Sequence, residues 1–333
     1  MKIAIVGGGG YIGSVIAKQL VNITNHEITI FDRFIFQNFN SISKITKTII
    51  KDIRDIVPKD FEGYDVVIDY SGLSNDPSGD LDKNLTIEIN QKGRLNLAHC
   101  ANTAGVKKYI FASSCSVYGA SDEIVDENSN LNPLTLYAKS CVEMEEHLSK
   151  FQSDSFSVLI FRHGTVFGIS DKPRLDLVVQ LMLKTAFLES QIYIMGGGNQ
   201  FRPLISTSSI SKYIELLCSK NELISGTYNL SHFNTNMLEL GHKIHEFVSQ
   251  KKSVNLITLQ DDNDKRNYAV NNSKLLKKFG EHFSDFNDDL EKLWKQIIYI
   301  DLYDPRYITQ KWYKHIIEHE KVQVLASKFK RDF

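Results

Sequence analysis

Short apolar runs alternate with amphipathic stretches through the first half of the chain. "KIAIV", "EITIF", "DVVIDY", "KKYIFA" and "FSVLIF" read as buried strands, and "YIGSVIAKQLV", "GRLNLAHCANTAG" and "AKSCVEMEEHLSKF" between them carry helical spacing. Strands alternating with helices predict crossover connections, hence an α/β fold with a doubly wound parallel sheet and helices on both faces. After about residue 167 the pattern loosens. There "GISDKPRLDLVVQLMLKTAF" predicts a helix entered through a loop, "GGGNQFRP" a turn, and "GTYNLS" one more strand returning to the first sheet. The expected division is a sheet domain over 1–166 plus about 205–232, with 167–204 and 233–333 forming a smaller lobe and a C-terminal extension. The aromatic stretch "WKQIIYIDLYDPRYITQKWYKHI" is expected either to cover that lobe or to make a subunit contact.

Composition narrows the class without naming a chemistry. A chain of 333 residues, 42% hydrophobic and 24% charged, has the make-up of a globular protein with a large core. Its net charge of -1 gives no basic footprint for nucleic acid or an acidic membrane, so any bound anion would be held by a few placed arginines. No apolar run approaches the roughly 20 residues of a membrane span, and "MKIAIVGG" does not read as a signal peptide, so a cytoplasmic location is expected. The four cysteines, Cys100, Cys115, Cys141 and Cys218, show no paired spacing and are expected as reduced thiols. His242 and His245 stand too isolated to imply a metal.

Candidate chemistry begins at "IVGGGGYIGSVIA", which follows an apolar strand and opens a helix. Gly7, Gly10 and Gly13 fit G-x-x-G-x-x-G: the first permits a tight turn, the second a close approach of pyrophosphate to backbone N–H groups, the third close packing of helix on strand. Tyr11 and Ile12 complete that turn. Asp32, 19 residues past Gly13 at the end of "EITIFD", suits the ribose hydroxyls of an adenosine and favours NAD over NADP. Arg33 beside it offers a 2′-phosphate a cation, and the two together also fit a solvated loop pair. This is a Rossmann-type dinucleotide site.

Here the chain resembles the extended short-chain dehydrogenase/reductases, the NAD-dependent epimerase/dehydratase family that works on nucleotide sugars. The likeness runs to about residue 290 and rests on "GGGGYIG", "KDIRD", "DVVIDYSGLS", "INQKGRLNL", "YIFASSCSVYG", "FRHGTVFG", "GGGNQFRPLI" and "DKRNYAVNNSKLLKKFG" in that order. For the cofactor the resemblance implies Asp52 and Ile53 at the adenine, Ser71, Gly72 and Asn90 along the dinucleotide, and His163 beside the nicotinamide, where a packed hydrogen-bonded histidine is the other reading. For the reaction it implies Ser114 as the hydroxyl bonded to the reacting sugar oxygen and Tyr137 as the acid/base at that oxygen. A strand-end cap is the other reading of Ser114. Thr165 falls on the family's substrate asparagine, and Arg202 and Arg266 on two diphosphate-gripping arginines, a task that suits bidentate guanidiniums. The implied partners are a nucleotide-diphosphate sugar and a second subunit, the homodimer forming through helices at about 82–104 and 136–151. Cys115 and Ser116 stand where the family's dehydratases carry Asp-Glu, which disfavours 4,6-dehydration.

"YAKSC" departs from the family pattern Tyr-x-x-x-Lys. The lysine that would hold the nicotinamide ribose and lower the phenol's pKa is Cys141, and Lys139 lies two positions from Tyr137, on another face of the helix. A tyrosine titrates near 10, and a cation at ~4 Å in an effective dielectric of ~20 is worth about 4 kcal/mol, some three pKa units. Its loss leaves three readings: a nucleotide-sugar epimerase or oxidoreductase with a rearranged proton relay, a weak or inactive protein that binds NAD(H) and a sugar nucleotide, or a reductase of a non-nucleotide carbonyl compound.

Overall fold

The structure, a computed structural model, describes residues 1–23, 26–36, 39–74, 76–260 and 266–318. In chain order its strands are β1 Lys2–Val6, β2 Glu27–Asp32, β3 Lys47–Ile50, β4 Val66–Asp69, β5 Lys108–Ser114, β6 Ala120–Val125, β7 Ser157–His163, β8 Thr165–Phe167, β9 Gln191–Ile194, β10 Phe201–Ser206, β11 Gly226–Leu230, β12 Phe233–Asn236, β13 Asn255–Thr258 and β14 Asn267–Val270. Seven of them form one parallel sheet in the order β11-β7-β5-β4-β1-β2-β3. Alternate residues of its central strands enter opposite cores. Ile3, Ile5, Ile30, Val66 and Ile68 pack on one face, and Ala4, Val6, Phe31, Val67 and Phe111 on the other, which is why these runs read as continuously apolar. "GTYNLS" does return to this sheet, as β11 beside β7. The edge strand β3 went unread because its residues are exposed or only half buried.

The smaller lobe carries the three-stranded sheet β12-β10-β8 and the pairs β13-β9 and β14-β6, packed with helices Val178–Glu189, Met237–Ser249 and Phe286–Tyr299 around a third core. The turn expected at "GGGNQFRP" is shorter than that: Gly196–Gly198 turn, and β10 already begins at Phe201. The helix expected over 82–104 is interrupted, with Lys83–Ile87 passing through a π turn at Glu88–Gly93 into Arg94–Thr103. Its apolar residues Leu97, Ala98 and Ala101 are buried in the chain's own core, as are Met144 and Leu148 of Leu136–Phe151. The aromatic tail covers part of the lobe, as one expectation had it, and reaches beyond it. Leu302 packs in the lobe, and the segment then crosses to the main sheet, where the Trp312 indole N–H donates to Ile35 O at 2.8 Å and Tyr313 packs against Phe36.

Candidate active site

The carboxyl ends of the central strands build a cleft of about 670 Å³ that extends into the lobe. Beside this cleft, whose lining takes in Tyr11 and Ile12 but not Gly7, Gly10, Gly13, Asp32, Arg33, Asp52 or Ile53, the glycine turn is closed around β1. Gly7 has φ +81°, Gly10 N–H donates to Gly7 O at 3.0 Å, and a Cβ on Gly13 would stand 2.2 Å from Gly7 O. No side chain fits where the helix Tyr11–Ile23 meets the strand. Asp32 accepts from Gly9 N–H at 2.9 Å and Phe34 N–H at 2.6 Å; burial raises its pKa and those amides oppose the rise. Arg33 turns to Asp52, Nε to Oδ2 at 3.3 Å, and Arg54 grips the same carboxylate at 2.6 Å, with Ile53 buried between. Asn90 clasps the loop after β4, accepting from Leu73 N–H at 2.8 Å and donating to Leu73 O at 3.0 Å, and so fixes Ser71 and Gly72 (φ +123°). Tyr11 leaves the turn for the lobe: its hydroxyl donates to Gly168 O at 2.9 Å and accepts from Gln180 at 2.6 Å.

Ser114 and Tyr137, the reacting groups expected from the sequence, both line the cleft. Thr135 caps the helix Leu136–Phe151, accepting from Ala138 N–H at 3.1 Å, and this sets the direction of Tyr137. Tyr137 lines the cleft together with Ser114, the last residue of β5, and Cys141 follows one helical turn on, buried. Burial, then Cys141 and Asp76, push the phenol's pKa well up, while the Arg94 charge and the Ser114 hydroxyl pull it down. Burial also pushes the Cys141 thiol up to about 12, so it is neutral at ordinary pH. Lys139 is exposed, on another face of the helix. His163 lies in the cleft wall with Nδ1 3.0 Å from both Ser113 O and Phe161 O; since carbonyls only accept, Nδ1 carries the proton and Nε2 accepts from Tyr70 OH at 2.8 Å. Burial lowers its pKa to about 4.

On the lobe side Thr165, Arg202, Arg266 and Tyr268 line the same cleft. Arg202 Nη1 donates to Phe201 O at 2.8 Å and Arg266 O at 2.7 Å, which ties the two arginines together, and Arg266 forms an ion pair with Asp76. Asp76 also accepts from Thr135, so one carboxylate joins the lobe to the helix of Tyr137.

The NAD dependent epimerase/dehydratase family model matches residues 3–231 of this chain. The chain belongs to that family. A putative UDP-glucose 4-epimerase of Methanocaldococcus jannaschii is 28% identical over 67% of this chain and 75% of its own length. A UDP-glucuronic acid 4-epimerase of Bacillus cereus, solved with UDP-glucuronic acid and NAD, superposes with a TM-score of 0.77 at 21% identity over 90% of this chain and 99% of that one. A UDP-N-acetylglucosamine 4-epimerase of Methanobrevibacter ruminantium reaches 0.79 at 22% identity over 89% and 98%. The family is NAD dependent, and the closed glycine turn, where a Cβ on Gly7 or Gly13 would collide with backbone, fits a dinucleotide.

Sequence reasoning did not single out Arg94, Tyr70 or Asp76. Arg94 is 4% exposed and Asp69 fully buried. Asp69 accepts from Arg94 Nε at 2.9 Å, Tyr109 OH at 3.0 Å and Ser71 N–H at 3.0 Å. The signal was present: "VVID" ends an apolar strand on a carboxylate, and "GRLNLAHC" puts one cation into a buried stripe, and two opposite charges in apolar surroundings call for each other. The tail residue Tyr313 was also missed; it is buried near Ser74, Arg174 and Asp32. Among the described residues no three metal-ligating side chains cluster, and no helix is long and apolar enough to cross a membrane.

Proposed function

We propose that this chain is a nucleotide-sugar epimerase or oxidoreductase in which Tyr137 exchanges a proton with a sugar oxygen held by Ser114. The reading is carried by Ser114 and Tyr137 lining one cleft with Arg202 and Arg266. When bound, NAD supplies a hydride acceptor and donor. Gly7, Gly10 and Gly13 with Asp32 would hold its adenosine and pyrophosphate end, with Asp52 and Ile53 near the base, and Ser71, Gly72 and Asn90 would flank its middle. His163, neutral and bonded to Tyr70, shapes the nicotinamide wall rather than carrying charge. Arg202 and Arg266 would receive the diphosphate, which requires Arg266 to share or release Asp76. In this scheme residues 1–166 with 205–232 bind the dinucleotide, while 167–204 and the chain from 233 bind the sugar nucleotide, and the protein works as a homodimer.

The raised phenol favours a second reading, a protein that holds NAD(H) and a sugar nucleotide with little or no turnover. Incubation with UDP-hexoses, UDP-hexosamines and UDP-hexuronates in the presence of NAD, with products followed by NMR, separates the two. The first reading expects conversion that Tyr137→Phe lowers by roughly a hundredfold or more with NAD binding kept. No conversion in the wild type, with turnover appearing in Cys141→Lys, establishes the second.

A further inference from the structure

A bound pyrophosphate needs more positive charge than the glycine turn holds. The N-terminus of a helix supplies roughly half a unit charge, and side chains must provide the rest. Arg33 and Arg54 are turned to Asp52, and neither lines the cleft. The arginines that do are Arg94, Arg174, Arg202 and Arg266. Arg94 is spent on buried Asp69, and Arg202 is joined to Arg266 in the lobe, which leaves Arg174. It is 6% exposed and lines the cleft with Tyr11 and Ile12, the first residues of the helix Tyr11–Ile23, and with Ser71, Gly72 and Ser74 of the loop after β4. Its Nε and Nη2 donate to Asp176 at 3.2 and 2.8 Å, and Nη1 donates to Ser74 Oγ at 3.2 Å. A guanidinium carries five N–H groups, so part of this fork has no partner among the described residues. The segment that carries Arg174 is pinned to the start of that helix: Ser170 Oγ donates to Tyr11 O at 2.6 Å and meets Ser14 Oγ at 3.0 Å, and Tyr11 OH donates to Gly168 O at 2.9 Å. On the other side Leu175 N–H donates to Tyr307 O at 2.8 Å.

We propose that Arg174 is a cofactor-binding residue contributed by the lobe, whose guanidinium joins the N-terminus of Tyr11–Ile23 in holding the pyrophosphate of the dinucleotide. The inference rests on the glycine turn and the loop after β4 forming the dinucleotide site. Asp176 does not cancel this role. It takes the Nε and Nη2 edge of the fork and fixes its plane, while Nη1 points to Ser74 in the loop that Asn90 clasps. A phosphate oxygen arriving there shares or replaces the Ser74 hydroxyl and gains charge-assisted hydrogen bonds from a group already held in position. The sugar-nucleotide diphosphate has its own pair in Arg202 and Arg266, so the cleft offers one set of guanidiniums to each diphosphate. The lobe thereby takes part in cofactor binding as well as in substrate binding.

Calorimetric titration of NAD and, separately, of UDP into the purified protein tests this. In Arg174→Gln, NAD is expected to bind roughly ten- to a hundredfold more weakly, with UDP affinity unchanged. Arg174→Lys keeps a charge and a donor without the fork, so its loss is expected to be smaller. NAD affinity should also fall less steeply with added salt in Arg174→Gln than in the wild type, a change that a merely structural role for Arg174 would not produce. If Asp176 left unpaired prevents folding, Arg174→Gln/Asp176→Asn removes both charges, and the same selective loss of NAD is expected. Unchanged NAD affinity in these variants overturns the proposal, as does a loss confined to UDP, a loss shared equally by the two ligands, or an unaltered salt dependence. Failure of the functional reading looks different: a protein that converts no sugar nucleotide, yet loses NAD in Arg174→Gln, removes the sugar chemistry and leaves this inference standing.

Discussion

At the residue scale, the site is a set of buried polar groups whose charge states are set by burial first and by neighbours second. His163 shows the consequence for pH. Its folded pKa of about 4 lies below the unfolded value of 6.5, so between those values the unfolded chain binds a proton that the folded chain refuses. Stability from this group is therefore complete above pH 6.5 and is lost as pH falls toward 4, by about 1.4 kcal/mol per unit and about 3 kcal/mol in all. Urea denaturation at pH 7 and pH 4.5 is expected to show a smaller loss in His163→Gln than in the wild type. Ser114 and Tyr137 were legible because their spacing and flanking motifs name them. Arg94 went unread because the acid that partners it lies 25 residues away, and only the folded sheet brings Asp69 and Arg94 together.

At the element scale, loops after strands do the positioning and helix caps set the angles. The loop after β4 is held by Asn90 and by the backbone freedom of Gly72, where φ is +123° and an added Cβ would stand 2.9 Å from Asn90 Oδ1. Gly72→Ala is expected to break the Leu73 clasp and weaken NAD binding by about 1–3 kcal/mol, read by calorimetric titration, while the distant lobe keeps its structure by limited proteolysis. Removing the Thr135 cap with Thr135→Ala should lower stability by about 1 kcal/mol and lower kcat more than KM changes, because Tyr137 stands two residues into that helix. Strand periodicity located β1, β2, β4, β5 and β7 in the sequence, since residues buried on both faces leave a largely apolar run, while β11 was read from "GTYNLS". The π turn at Glu88–Gly93 was hidden within a helical pattern, because one extra residue per turn rotates the face without changing composition.

At the scale of the whole molecule, the sheet order places β1 between β4 and β2, so the loops after β4 and β2 flank the glycine turn. The C-terminal segment touches both: Tyr313 lies near Ser74 and packs against Phe36, the Trp312 indole N–H donates to Ile35 O, and Thr309 accepts from Lys172 at 3.1 Å. Trp312→Ala/Tyr313→Ala is expected to release NAD roughly tenfold faster by stopped-flow fluorescence, with the far-UV spectrum unchanged. Sequence pattern could not foresee this, since an aromatic amphipathic tail pairs equally well with a lobe, a partner or a groove.

That bridge also orders events in time. During synthesis the loops after β2 and β4 emerge long before the segment 305–318 that touches them both, and domains fold as they appear, so that link is the last made. Chains released before residue 305 are expected to fold their sheet and lobe with these two loops untied, and to lose protection from hydrogen exchange there first.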